Sequence, residues 1–156
     1  MVSKYHYTES GLDTVFLTNG FRFVNSQGGQ QVIIEDIEGL HLAIGFALAT
    51  QKQRLSGKEI RFLRTELLLS QASLAKILGV KDLTVIRWEK DSPPISHSNE
   101  AALRSMFLNS VGKDEPIRVL LERLADLEDD MDMCFTLERS ENSQETWELV
   151  DLKLAA

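Results

Sequence analysis

This 156-residue chain has one cysteine, three prolines, two tryptophans and no long apolar run. Cys134 alone cannot close an internal disulfide, and so little cysteine fits a cytoplasmic location. His6, His41, His97 and Cys134 lack the spacing of metal ligands, and there is no CxxC pair. Packing or surface roles are therefore expected of them, and no cofactor. The most apolar stretch, Gly39 to Ala49, is too short to cross a bilayer and lies inside the chain, so neither a signal peptide nor a membrane partner is expected. Nothing resembles a phosphate-cradling glycine loop, and no nucleophile stands at a telling distance from a base; the chain is not expected to be an enzyme. The acidic run Glu128-Asp129-Asp130 with Asp132 lacks the glycine and spaced ligands of a calcium loop and reads as a solvated helix end. Glu35, Asp36 and Glu38 read the same way.

What the chain does have is an uneven charge. The net charge is −7, yet residues 51–91 hold nine Lys and Arg against five Asp and Glu, while residues 113–156 hold five against thirteen. Local cation density, not net charge, governs attraction to phosphate, so a basic segment can bind nucleic acid within an acidic protein. Lys52, Arg54, Lys58, Lys81, Arg87 and Lys90 are the leading phosphate or groove candidates. At 43% apolar residues the chain can bury a real core in one or two small domains.

The basic segment is also the most patterned. From Gly57 to Asp91 it reads as three short helices with a tight turn at Gly79. Ile60, Leu63 and Leu67 recur at helical spacing and share one face. Ser70 stands at an N-cap position before a helix that opens on Gln71 and turns Leu74, Ala75 and Leu78 inward. Gly79 ends that helix because glycine enters the left-handed region without a Cβ penalty. The next helix begins near Lys81, buries Val85 and Trp88, and leaves Asp82, Leu83, Thr84, Ile86 and Arg87 on outer faces. This is the pattern of a helix-turn-helix, whose last helix fits the DNA major groove.

Leu69-Ser70-Gln71, Gly79-Val80 and Arg87-Trp88-Glu89 resemble the helix-turn-helix of the Cro/CI family, also called XRE regulators, over roughly 55 residues, the span of a single module. The resemblance implies a central all-α, lambda-repressor-like helix-turn-helix domain, and the strand signals on either side of it make the expected fold class α+β. The resemblance also implies that Gln71 touches phosphate or a base edge, that Lys81, Asp82, Leu83 and Thr84 read the major groove with Arg87, and that Arg64 pairs with Glu89; Ser70 and Lys90 join them as DNA-binding candidates. Each role has a chemical basis. Gln71 at a helix N-terminus can meet phosphate. Arg87 can fork to guanine O6 and N7, and the Thr84 methyl can rest on a thymine methyl. Asp82 can accept from cytosine N4 or favour the helix N-terminus. Leu83 and Ile86 are apolar where small polar residues are more usual in the family, and can meet a thymine methyl or another protein.

The flanks are read from local signals. Val15-Phe16-Leu17-Thr18 and Phe21-Arg22-Phe23-Val24 flank Asn19-Gly20, the favoured pair for a type I′ hairpin. Gly28-Gly29 separates this hairpin from a third strand at Gln31-Val32-Ile33-Ile34, and a helix follows from about Gly39 to Gln51. The words YHYTESGL and DIEGLH resemble linker regions of MqsA-type and zinc-finger/helix-turn-helix antitoxin-like regulators, whose zinc-binding cysteines this chain lacks. After Pro93-Pro94, a helix from Glu100 to Asn109 turns Leu103, Met106 and Phe107 inward. Pro116 opens another, with Ile117, Leu120, Leu121, Leu124 and Leu127 in a stripe. Cys134 to Leu137 and Thr146 to Val150 form a closing hairpin whose edge is open to pairing.

Three regions are expected: 1–50, 51–112 and an acidic 113–156 that carries dimerisation through Leu120, Leu124, Leu127, Phe135 and Trp147. The expected function is a dimeric, sequence-specific repressor on double-stranded DNA. The alternatives are an antitoxin that holds a protein toxin and represses its own operon, and a ligand-sensing role for the N-terminal β region.

Overall fold

Short-range signals set the helices, and long-range pairing sets the sheets, in the computed structural model of the protein, which describes residues 3–127, 133–140 and 146–154. The acidic run at 128–132 and the middle of the closing loop, 141–145, lie outside the described residues. The fold is α+β, with six α-helices, one short 3-10 helix (Thr8–Ser10) and six strands among the described residues.

Four strands make one sheet in the order β1 (Tyr5–His6), β2 (Val15–Leu17), β5 (Met133–Arg139), β6 (Trp147–Leu154). β2 runs antiparallel to β1 and parallel to β5, with Val15 opposite Phe135, and β5 and β6 form the antiparallel hairpin expected at the C-terminal end. Val15 and Leu17 are fully buried and Phe16 between them is not, the alternation of a strand with one face on a core. A parallel pair cannot be closed by a tight turn. Here more than 110 residues intervene between β2 and β5, and the six α-helices lie within that span.

Asn19-Gly20 does not make the expected hairpin. Type I′ needs positive φ at both central residues, and of the two only Gly20 has it, at +76°. The Asn19 side chain docks instead on β5: its amide donates to Arg139 O at 3.1 Å, and the Arg139 N–H donates to Asn19 Oδ1 at 2.6 Å. The chain then leaves this sheet to form a separate two-stranded ribbon, β3 (Phe21–Ser26) with β4 (Gly29–Ile34). Its turn is Gln27-Gly28, between the paired Ser26 and Gly29. Of the two glycines expected as a separator, Gly28 lies in the turn and Gly29 opens β4. The Gly20 O accepts from the Glu35 N–H at 2.8 Å, fixing the foot of the ribbon.

Two compact units result, one of Met1–Ile44 with Met133–Ala156 and the other of Gly45–Asp132; the division falls within α1 (Ile37–Gln51). The three consecutive regions expected from sequence are thus replaced, because strands from the two ends of the chain share one sheet. In the first unit Tyr7, Leu12, Val15, Leu17, Leu40 and Ile44 join Phe135, Leu137 and Trp147 in the core. Trp147 donates its indole N–H to Glu35 O and Asp36 O, both at 3.1 Å. Asp36 caps α1, accepting from the Gly39 N–H at 3.2 Å.

The second unit is helical: α2 (Gly57–Glu66), α3 (Gln71–Leu78), α4 (Asp82–Trp88), α5 (His97–Ser110) and α6 (Ile117–Ala125) follow the end of α1. Ser56 and Glu59 form a reciprocal capping box at the start of α2, and Ser96 caps α5. Buried charges brace this unit. Arg104, wholly buried, donates to the carbonyls of Leu48, Ala49 and Gln53 at 2.9 to 3.2 Å and to Glu100 at 2.6 Å, so a cation closes the C-terminal end of α1. Burial pulls the Arg104 guanidinium below its usual range, and the charges of Glu100 and Glu59 oppose that pull. Lys52, named above as a phosphate candidate, is also buried and pairs with Glu59 at 2.5 Å. It is part of the scaffold, not of any groove surface. None of the helices among the described residues is long and apolar enough to cross a membrane.

Candidate nucleic-acid interface

The bihelical unit is built from its turn outward. Ser70 caps α3 by accepting from the Ser73 N–H at 3.0 Å. At the other end Gly79 adopts φ +72°, its N–H reaches Lys76 O at 3.3 Å, and the Val80 N–H reaches Ala75 O at 2.9 Å. These two bonds close a Schellman turn and reverse the chain. Ala75 and Leu74 are fully buried, as are Val85 and, nearly so, Trp88 on α4. With the inward side of α4 set by Val85 and Trp88, the helical period directs Lys81, Asp82, Leu83 and Arg87 to water, where all four are exposed. Thr84 and Ile86 are half-buried at the margin of this face, and Lys90 is exposed just beyond its end.

A polar clamp holds the far end of α4 to α2. Arg64 Nε and Nη2 donate to the two oxygens of Glu89 at 2.9 and 3.0 Å, and Arg64 Nη1 donates to Leu69 O at 2.8 Å. Gln71 Nε2 lies 3.5 Å from Glu89 Oε1, so its amide is turned partly to this clamp. Gly57 packs directly beneath the backbone carbonyl of Glu89, an approach a Cβ would block, and its N–H donates to Asp91 Oδ1 at 2.7 Å.

The face of α4 carries mixed charge. Lys81, Arg87 and Lys90 make no ion pair among the described residues, which leaves three cations available to an anionic partner. Asp82 lies in the first turn, where its charge suits the positive end of the helix dipole. The N-cap itself is Lys81, and it forms no side-chain cap bond. The Ser70 hydroxyl is engaged locally, accepting from Ser73 N–H and donating to Ser73 Oγ at 2.9 Å.

Most of the residues expected to form a dimer seam lie in the chain's own core. Leu120, Leu124, Phe135 and Trp147 are buried within the chain, at 7% exposure or less. They cannot also cover a second copy, because a helix stripe or strand face that has found its core has no free surface left. Leu127 is half-buried. What α6 exposes is its neighbouring face, with Ile117, Val119 and Leu121 near half exposure. Sequence periodicity could find the stripe but not which of its edges meets α5. Leu68 was also missed: it is 92% exposed and holds φ +58° in the turn just before Ser70. No local sequence signal marks a leucine for the left-handed region.

Among the described residues there is no group of three or more His, Cys, Asp and Glu side chains that could hold a metal ion. No family model, curated protein or solved structure significantly matches this chain.

Proposed function

We propose that the protein is a sequence-specific regulator that binds double-stranded DNA through α4, as a dimeric repressor on a near-palindromic operator of the kind XRE regulators use. The observation that supports this reading is the division of α4. Val85 and Trp88 anchor one side in the core while Lys81, Asp82, Leu83 and Arg87 stand exposed on the other, next to a glycine-closed turn. Such a rod inserts its outer side chains among base edges, where arginine reads guanine and apolar groups read thymine methyls. Seven residues span few base pairs. Two copies, with half-sites about 34 Å apart or a multiple of that, supply the remaining discrimination.

The test is selection of bound duplexes from a random pool at moderate salt, followed by titration of the enriched sequence. A two-fold-related motif is expected, with affinity falling steeply as salt rises, by a log–log slope of about −0.9 per phosphate neutralised. Failure to enrich any motif over competitor DNA would overturn the proposal.

A further inference from the structure

The helical unit also holds a cleft of about 500 Å³ that the DNA-binding reading does not use. We propose that it is a binding site for a small monocarboxylate with an apolar body. The volume falls in the range of small-molecule sites. One wall is apolar: Ala101 of α5 with Leu121, Leu124 and Ala125 of α6. Leu121 lies there with 45% of its surface exposed, although Leu120 and Leu124 of the same helix are buried.

The rest of the lining is polar, formed by Gln53, Arg54, His97 and Glu100. Glu100 is already engaged through both oxygens. Oε1 accepts from Arg104 at 2.6 Å, and Oε2 accepts from the Leu55 N–H at 3.2 Å. Arg54 and His97 make no hydrogen bond or ion pair among the described residues. The donors left facing the cleft are therefore a guanidinium, an imidazole and the Gln53 amide. A carboxylate matches the planar fork of arginine and accepts from a second donor beside it. Arg104 neutralises Glu100, so Arg54 is the fixed charge left in this lining, and one cation matches a single negative charge. An apolar body on that carboxylate would cover Leu121 and gain about 25 cal/mol for each Å² removed from water.

The same polar lining is bonded to the segment that leads into α2. Arg104 donates to Gln53 O at 3.0 Å, and Leu55 donates to Glu100 one residue before the Ser56 cap. A ligand seated against Arg54 thus lies on the segment that starts the helix-turn-helix. Binding itself does not depend on the DNA-binding reading and is tested without DNA.

Octanoate and its neutral amide, octanamide, are titrated into the full chain, followed by amide NMR shifts and calorimetry. Saturable octanoate binding is expected, with shifts centred on Ala101, Leu121 and Ala125, and octanamide at least tenfold weaker. Arg54→Gln should weaken octanoate about tenfold and leave octanamide unchanged. Non-saturable octanoate shifts, or equal affinity for acid and amide in the wild-type chain, overturn the proposal. So does an Arg54→Gln variant with an unchanged spectrum elsewhere that binds octanoate as tightly as the wild type. The acid-to-amide comparison needs no variant, so it decides the question even if a substitution disturbs folding.

Discussion

Arg64 and Glu89 hold each other through two nearly parallel N–H to oxygen bonds of 2.9 and 3.0 Å, with only 12% and 6% of their side chains exposed. The pair ties α2 to the end of α4, and removing either partner strands a poorly solvated charge. Glu89→Ala is expected to cost about 2–3 kcal/mol, on the scale of lost charge-assisted hydrogen bonds. Urea unfolding checks this, with the midpoint shifted and the slope unchanged. Glu89→Gln keeps one acceptor and should lose less.

Gly20 passes against the Trp147 ring at a φ of +76°, and a Cβ placed there would lie 2.5 Å from the ring edge. Gly20→Ala combines overpacking with left-handed strain and should cost about 2–4 kcal/mol. Thermal unfolding with Trp fluorescence reads both the loss and the displaced ring. A neutral result would mean that the ring yields freely.

Leu68 presents the opposite case. It has 92% of its surface exposed and holds φ +58° at the close of α2, while its N–H reaches Thr65 O and that of Leu69 reaches Arg64 O. Little packing is lost on truncation, and glycine relieves the left-handed penalty, so Leu68→Gly should stabilise by about 0.5–1 kcal/mol. Thermal unfolding at fixed protein concentration measures it.

Asp36 accepts from the Thr146 hydroxyl and the Gly39 N–H, and these bonds, with the Thr146 hydroxyl foremost, hold its carboxyl below the ordinary 3.8 despite opposing desolvation. A depressed carboxyl stabilises the fold above its ordinary value, and that contribution is lost as pH falls through the lowered one. Thr146→Val should therefore raise the Asp36 titration toward 3.8 and flatten this part of the acid limb of stability. NMR titration of the Asp36 carboxyl checks the first effect, and urea midpoints between pH 5 and 2 check the second. No change in the Asp36 titration would remove Thr146 from the account.

If α4 reads DNA, its two chemistries separate. Arg87→Ala should reduce discrimination at one guanine by about 1–3 kcal/mol, whereas a phosphate contact would weaken all duplexes alike. Leu83, 52% exposed on the same face, should sense a thymine methyl. Replacing that thymine with deoxyuridine in the selected duplex should weaken the wild type and leave Leu83→Ala unaffected. Equal losses in both proteins would assign the methyl to another residue.

The α3–turn–α4 unit could be read from the chain because its signals are local. The Ser70 hydroxyl, the Gly79 turn and the Val85/Trp88 spacing each act within a few residues, and all three recur in the fold. The Asn19-Gly20 hairpin failed for the converse reason. A turn preference worth a fraction of a kcal/mol yields when distant strands offer a full ladder, and Asn19 found its partner 120 residues away in Arg139. The charge of Lys52 suggests solvent, whereas Glu59 draws it into the interior. Leu120 and Leu124 were placed in the correct stripe but on the wrong interface.

Sequence alone determined the start of α3 at Ser70, its end at Gly79 and the inward spacing of Val85 and Trp88, because a cap, a glycine turn and the 3.6-residue period are properties of adjacent residues. Only tertiary structure decided that β2 lies beside β5, that Trp147 and Phe135 belong to the chain's own core, and that Arg54 and His97 face one cleft. Those outcomes depend on which apolar surfaces meet across more than 40 residues of chain, and no neighbouring residue carries that information.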